Sequence, residues 1–266
     1  MLLFLCALPL WLGAFFTVVV PTALAMLGPI IVRKRYPLSV LVKNNEIAGF
    51  KFATVGVIYA VILAFAIVAV WDKFNEAEAL VLKEAGAAAT LYRISAVDEP
   101  SARSMRAALD NYLTAALEDD WPKMAVEQEG QKAARALDRL YSAAIQFGET
   151  KRQAVGVEIM SELAAITEAR RGRLHHAMGV VPSALWLMLV FGAVLTIAFT
   201  FFFGLENLKS QVTMTGGLAS IVFLGLFVIV SYDHPFTGQV FVEPHPIKSV
   251  LDDFHAAEAL SAAQRQ

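Results

Sequence analysis

NNEIAGFKFATVGVIYAVILAFAIVAVW, residues 44–71, decides the architecture of this chain. Between Glu46 and Asp72 the only charge is Lys51, so Ile47 to Trp71 exceeds the roughly 20 apolar residues that carry a helix across a bilayer. Hydrocarbon has no water to offer a peptide group, and such a stretch must therefore cross as a hydrogen-bonded helix. Asn44-Asn45-Glu46 marks its entry. Trp71-Asp72-Lys73 marks its exit, with Trp71 where an interfacial aromatic belongs.

Working outward, three further spans follow. About Leu2 to Val32 is interrupted by Pro9, Pro21 and Pro29, which predicts a kinked helix, and is stopped by Arg33-Lys34-Arg35. Ala23-Leu24-Ala25 resembles a signal-peptide cleavage site. No charge precedes the apolar run, however, and the run continues past that point to the basic stop, which favours an uncleaved span. Spans three and four are about Val181 to Phe203 and about Met214 to Tyr232, an antiparallel pair across the short link 204–212. Pro182 fits the first turn of the third span. The whole chain is 57% hydrophobic with a mean hydropathy of +0.57, more apolar than a soluble surface allows, so a bilayer must take up the excess. A net charge of -2 gives none of the basic surface that nucleic acid requires. The single cysteine, Cys6, excludes a disulfide framework within one chain.

Residues 72–178 carry apolar side chains at helical spacing without any long uncharged run, the pattern of a soluble helical bundle. Phe74, Leu80, Val81, Ala88 and Leu91 prolong the second span as an amphipathic helix. A new helix starts near Asp98 with Pro100 in its first turn and ends near Trp121-Pro122. Two more are marked by Leu137, Tyr141, Ala144 and Ile145, and by Val155, Ile159, Leu163 and Ile166. The expected fold class is thus all-α integral membrane: helices 1 and 2 within residues 1–71, the bundle over 72–178, helices 3 and 4 within 179–232, and a tail, 233–266, packed on the bundle. That tail contains a β-prone piece, Gln239 to Val242, before a last helix near Ile247 to Ala263.

Bundle and tail share one side of the membrane and the links 33–46 and 204–212 the other. Near the links stand Arg33, Lys34, Arg35, Lys43, Lys51 and Lys209, and on the bundle side Lys73, Lys83, Arg170, Arg171 and Arg173. The basic stop after an uncharged N-terminus leans toward cytoplasmic links and an outward-facing bundle in the cell (inner) membrane.

Asn44, Asn45, Glu46, Lys51 and Phe52 place amides, a carboxylate and an ammonium at the mouth of an apolar helix. Lys51 would cost about 2.5–3.5 kcal/mol if left in hydrocarbon, so it snorkels, pairs or faces water. Two readings are open. In one these groups form an ion vestibule and Ile58, Ile62 and Phe65 an apolar constriction gated by dewetting. In the other Asn45 caps the helix, Lys51 reaches the headgroups and the apolar face meets lipid. Gly49, Ala53, Gly56 and Ala60 form a small-residue stripe suited to close helix packing. Asp233 and His234 put a carboxylate and an imidazole at the end of span four, either capping the turn at Pro235 or forming an ion or proton site. The five histidines lack metal-ligand spacing, Gly148-Glu149-Thr150-Lys151 lacks the full phosphate-loop spacing, and there is no Gly-x-Ser-x-Gly elbow. No catalytic constellation, metal site or cofactor is expected.

Taken in order, NNEIAGFKFATVGVIYAVILAF, Trp71, Leu91-Tyr92-Arg93, Ala169-Arg170-Arg171-Gly172-Arg173 and Asp233-His234-Pro235-Phe236-Thr237-Gly238 resemble the bestrophin-like domain family, over about Asn44 to Leu251. The resemblance implies similarity to bestrophins, pentameric anion channels with four spans per subunit, the second lining the pore, and with their soluble part in the cytosol. Bestrophins line their neck with bulky residues including paired phenylalanines, matched here only by Phe50 and Phe52, and no acidic run forms a calcium clasp. The function expected is a homo-oligomeric channel for small inorganic ions, more suited to anions. The alternative is a membrane-anchored structural or sensory protein whose bundle binds a partner.

Overall fold

The computed structural model describes residues 9–43 and 45–263; Asn44 and Cys6 lie outside them. Among the described residues four helices are long and apolar enough to cross a membrane: α1 (Leu10–Arg35), α3 (Asn45–Ile94), α8 (Ser183–Phe201) and α9 (Leu208–Tyr232). A short helix, α2 (Leu38–Lys43), precedes α3. The chain is an all-α multi-pass membrane protein, and it divides into two units, one of residues up to Asp72 with Gly179–Asp233, the other of Lys73–Met178 with the residues from His234 onward.

In the membrane unit, α1 is not a plain α-helix. A π turn, Phe15–Val19, sits just ahead of Pro21, whose ring has no N–H and would clash with the carbonyl four residues back, that of Thr17. Widening that turn keeps the helix continuous. α8 begins at Ser183 because Pro182 is its N-cap, in extended backbone. α9 starts at Leu208, earlier than hydropathy alone indicates, because the Asn207 side chain caps it by accepting from the amides of Lys209 and Ser210. Tyr59, Ala66 and Val70 of α3 pack with Leu189, Ala193 and Ile197 of α8, with Ala219, Val222, Leu226 and Ile229 of α9, and with Ala25 of α1. Lipid is as apolar as these side chains, so close approach must hold the spans together. Gly192 shows it: a Cβ there would fall 2.4 Å from the Tyr59 ring.

In the helical unit, the Lys73–Ile94 part of α3 is joined by α4 (Pro100–Ala115), α5 (Trp121–Met124), α6 (Gln131–Glu149), α7 (Gln153–His176) and α10 (His245–Ala263). Pro100 opens α4, where no amide bond is lost. The expected break at Trp121-Pro122 is instead a π turn, Ala116–Asp120, leading into α5, the same arrangement as before Pro21. α6 lies against both α4 and α7, and Val81, Ala88, Leu91, Met105, Leu109, Leu140, Phe147, Ile159, Leu163 and Ile166 form the core. The tail joins the same unit: Phe254 of α10 stacks on Tyr92 at 3.9 Å, and the Tyr92 hydroxyl donates to the Phe254 carbonyl. Gln239 to Val242 forms no strand, since a lone β-prone segment has no neighbour whose ladder could satisfy it. It folds back instead, the Val242 amide donating to the Pro235 carbonyl at 2.7 Å, across a turn that needs the left-handed φ of 95° at Gly238.

Candidate functional site

At the mouth of α3 the structure commits Asn45 to the backbone. Its amide nitrogen donates to the Gly204 carbonyl at 2.9 Å and its amide oxygen accepts from the Gly204 amide at 2.8 Å, so Asn45 pins the α8–α9 link rather than capping α3. Gly204 has to be glycine, because a Cβ there would lie 2.5 Å from the Val42 backbone nitrogen. Phe52 is half-buried with its ring edge-on to Phe203 at 5.6 Å. Glu46 and Lys51 are exposed, and Asn44 lies outside the described residues.

Above this mouth the exposed face of α3 differs from the expected one. Ile58 and Phe65 are exposed, at 57% and 72%, but Ile62 is half-buried and packs on the membrane-unit core. The reason is register: Ile62 lies three residues after Tyr59 and four before Ala66, both buried on the inward stripe. The uncovered stripe runs instead through Val57, Val61, Phe65 and Val68, at four-, four- and three-residue steps. Ala53 and Ala60 are exposed, nothing lies within 4 Å of a Cβ placed at Gly56, and Gly49 meets only the Phe203 ring, at 3.9 Å. The small-residue stripe therefore has almost no partner within one chain's described residues.

Asp233 and His234 serve different units. Asp233, 1% exposed, caps the approach to α8, its Oδ1 accepting from the amides of Val180 at 2.9 Å and Val181 at 2.8 Å. His234, 5% exposed, places Nε2 3.1 Å from Glu127 Oε1, and Glu127 holds a left-handed φ of 58°.

The most heavily charged interior of the chain is in the helical unit. Arg173 is fully buried, donating from Nε to Glu84 at 2.6 Å and from Nη2 to the other Glu84 oxygen at 3.0 Å. The Tyr112 hydroxyl donates to the same carboxylate at 2.5 Å, and the guanidinium lies over the Trp121 ring, 4.7 Å from its centre. Arg170 grips Asp120 with two bonds of 2.8 and 3.0 Å and reaches Glu129 at 3.1 Å. Asp120 also accepts from the Gly130 amide and stands 3.5 Å from Arg173, which links both pairs. Burial works to lower the affinity of Arg173 for its proton, but the charge and hydrogen bonds of Glu84, with the charges of Tyr112 and Asp120, together outweigh it and the net shift is upward. Burial, reinforced by the Glu84 charge, pushes the Tyr112 phenol well above its usual range, so it stays a donor. Beside this network, burial opposes ionisation of Asp119, yet bonds from Lys123 and the amides of Lys132 and Ala133 hold its carboxyl below the ordinary value. Among the described residues no group of three His, Cys, Asp or Glu converges on a possible metal position.

Arg170 and Arg173, read in the sequence as membrane-flanking charges, are thus interior. The signal for this was present: Ile159, Leu163, Ile166, Arg170 and Arg173 continue one core stripe at three- and four-residue steps.

In comparison with known proteins, the sequence model of the Bestrophin-like domain matches residues 16–247. No curated protein sequence matches the chain. A crystal structure of a bacterial Bestrophin homologue from Klebsiella pneumoniae superposes with a TM-score of 0.69 at 16% identity, covering 88% of this chain and 95% of that one. A point-mutated form of a bacterial Bestrophin homologue from Klebsiella pneumoniae gives 0.69 at 17%, covering 90% and 97%.

Proposed function

The chain belongs to the bestrophin-like domain family, and from that premise we propose that it is a homo-oligomeric ion channel with α3 innermost, selective for anions. The observation that carries this reading is the uncovered apolar stripe on α3. Val57, Val61 and Phe65 are 64%, 49% and 72% exposed along a helix that otherwise packs on α8 and α9, as a pore wall would be in a subunit taken alone. A ring of such stripes makes an apolar constriction that controls ions through wetting. Anion selectivity rests on the charge at the mouth. Arg33, Lys34, Arg35, Lys43, Lys51 and Lys209 stand against Glu46 and Glu206 at that end of the membrane unit, a positive field that concentrates anions. Because the family's pores discharge no chemistry on the ion, no catalytic group is required.

The test is current across planar bilayers containing the purified chain. Macroscopic or single-channel current with a reversal potential following the anion gradient is expected, and Lys51→Glu, which exchanges a positive for a negative charge in every subunit, should move that potential toward the cation value. Silence at every tested pH and voltage would leave the spans as mere anchors of the bundle.

Orientation is drawn from the family rather than from the basic residues, of which six stand near the links and five on the bundle side, Arg170 and Arg173 among the five being buried in the helical unit. We place the helical unit in the cytoplasm. A protease tag at the C-terminus should then be cut from outside in inverted inner-membrane vesicles and protected in intact spheroplasts; the reverse pattern places the bundle outside.

A further inference from the structure

The membrane unit holds a cavity of about 440 Å³ lined by Asn45, Phe52, Phe203, Gln211, Met214 and Leu218, within the roughly 300–1,000 Å³ usual for ligand pockets. It is amphipathic along its length. Gln211 lies in the first turns of α9, at the polar end of the span, while Leu218 lies two turns deeper, about 10 Å along the axis. Gln211 is 2% exposed, and its amide nitrogen is committed to the carbonyls of Phe203 at 2.5 Å and Phe201 at 3.4 Å. That orientation leaves Oε1 as a buried acceptor with no donor among the described residues. A native interior seldom leaves such an acceptor without a donor. At the same end Arg33 donates from Nη1 to the carbonyl of Leu205, itself a lining residue, at 2.9 Å, and from Nη2 to that of Glu206 at 3.4 Å. A guanidinium has five N–H groups, so others remain at the rim for an anion, and the exposed Lys209 adds a second positive charge.

We propose that this cavity seats an acyl chain of an anionic membrane phospholipid, with the phosphate against Arg33 and a headgroup hydroxyl donating to Gln211. Apolar walls at the deep end and fixed positive charge at the rim match the tail-to-phosphate order of such a lipid, and the headgroup glycerol, which lies beyond the phosphate, turns back from the rim to present a hydroxyl to the acceptor at the shallow end. A zwitterionic lipid brings the same tail and phosphate, but its own ammonium offsets the phosphate charge beside Arg33 and Lys209, and phosphatidylcholine has no N–H or O–H to give Gln211. A single water meets only the acceptor.

The experiment uses the full chain purified from nanodiscs containing equal amounts of phosphatidylglycerol, phosphatidylethanolamine and phosphatidylcholine, with retained lipid quantified by mass spectrometry. Phosphatidylglycerol is expected to be retained about tenfold above the other two, the size of effect that one charge-assisted contact of about 1.4 kcal/mol produces. Arg33→Gln should reduce it to the phosphatidylcholine level, and Leu218→Trp, which fills the deep end, should remove all three. Equal retention of the three lipids by the unaltered protein overturns the proposal, as does phosphatidylethanolamine retained as well as phosphatidylglycerol, or a preference that survives both substitutions. The lipid comparison needs no substitution, so it decides even where a variant fails to fold.

Discussion

Glu84→Leu is expected to cost the helical unit about 3–5 kcal/mol, the penalty for leaving a buried charge without its partner. Arg173 is fully buried and always protonated, and in this variant its remaining neighbours would be Asp120 at 3.5 Å, already held by Arg170, the weakly accepting Met124 sulfur at 3.3 Å, and the Trp121 ring. Tyr112 would lose its acceptor as well. In thermal denaturation of the detergent-solubilised protein, the loss should lower the midpoint by on the order of 10 °C. The double variant Glu84→Leu with Arg173→Met should recover most of that loss, since replacing both members of a buried pair by apolar groups is often close to neutral. If single and double variants melt together, the pair is not the source of the effect. A single variant as stable as the parent would mean that water reaches Arg173.

That network also marks the limit of what periodicity reveals. Val81, Leu91, Leu137, Ala144, Ile159 and Leu163 were legible as core because apolar residues at three- and four-residue steps have no other reason to align. Glu84 and Arg173 occupy steps of the same stripes, but a charged residue at a core register reads equally as a break in the stripe until its partner is seen, and these partners stand 89 positions apart. The spans were legible by length and charge, while their ends were not. Asn207 lengthened α9 through its side-chain cap, and α8 starts only after Pro182, whose ψ of 148° is not helical; hydropathy weighs neither. On α3 an error of a single residue in register moved the exposed stripe from Ile62 to Val61, because the span is apolar all round and carries almost no phase information. Asn45 was legible as a polar group at a helix mouth, but not as the anchor of Gly204, a contact between residues 159 positions apart.

Val61→Ser combined with Phe65→Ser is expected to raise the resting current by about tenfold or more. If copies of α3 surround an axis, Val57, Val61 and Phe65 project toward it, and a narrow passage walled by such groups resists wetting. A barrier lowered by about 1.4 kcal/mol corresponds to a tenfold gain in rate, and exchanging two successive apolar rings for hydroxyls exceeds that on any scale of polar transfer. Ile221→Ser on α9 provides the control, since it is nearly as exposed as Phe65, at 70%, but lies on a different span and should change current less. If instead the stripe faces lipid, all three substitutions put hydroxyls into hydrocarbon, where each can return its bond to the carbonyl four residues back and leave function untouched. The two arrangements thus separate cleanly: a large gain confined to the Val61 and Phe65 positions requires a shared aqueous axis, whereas indifference at all three positions means that the exposed face of α3 is a lipid surface and that ions do not pass along it.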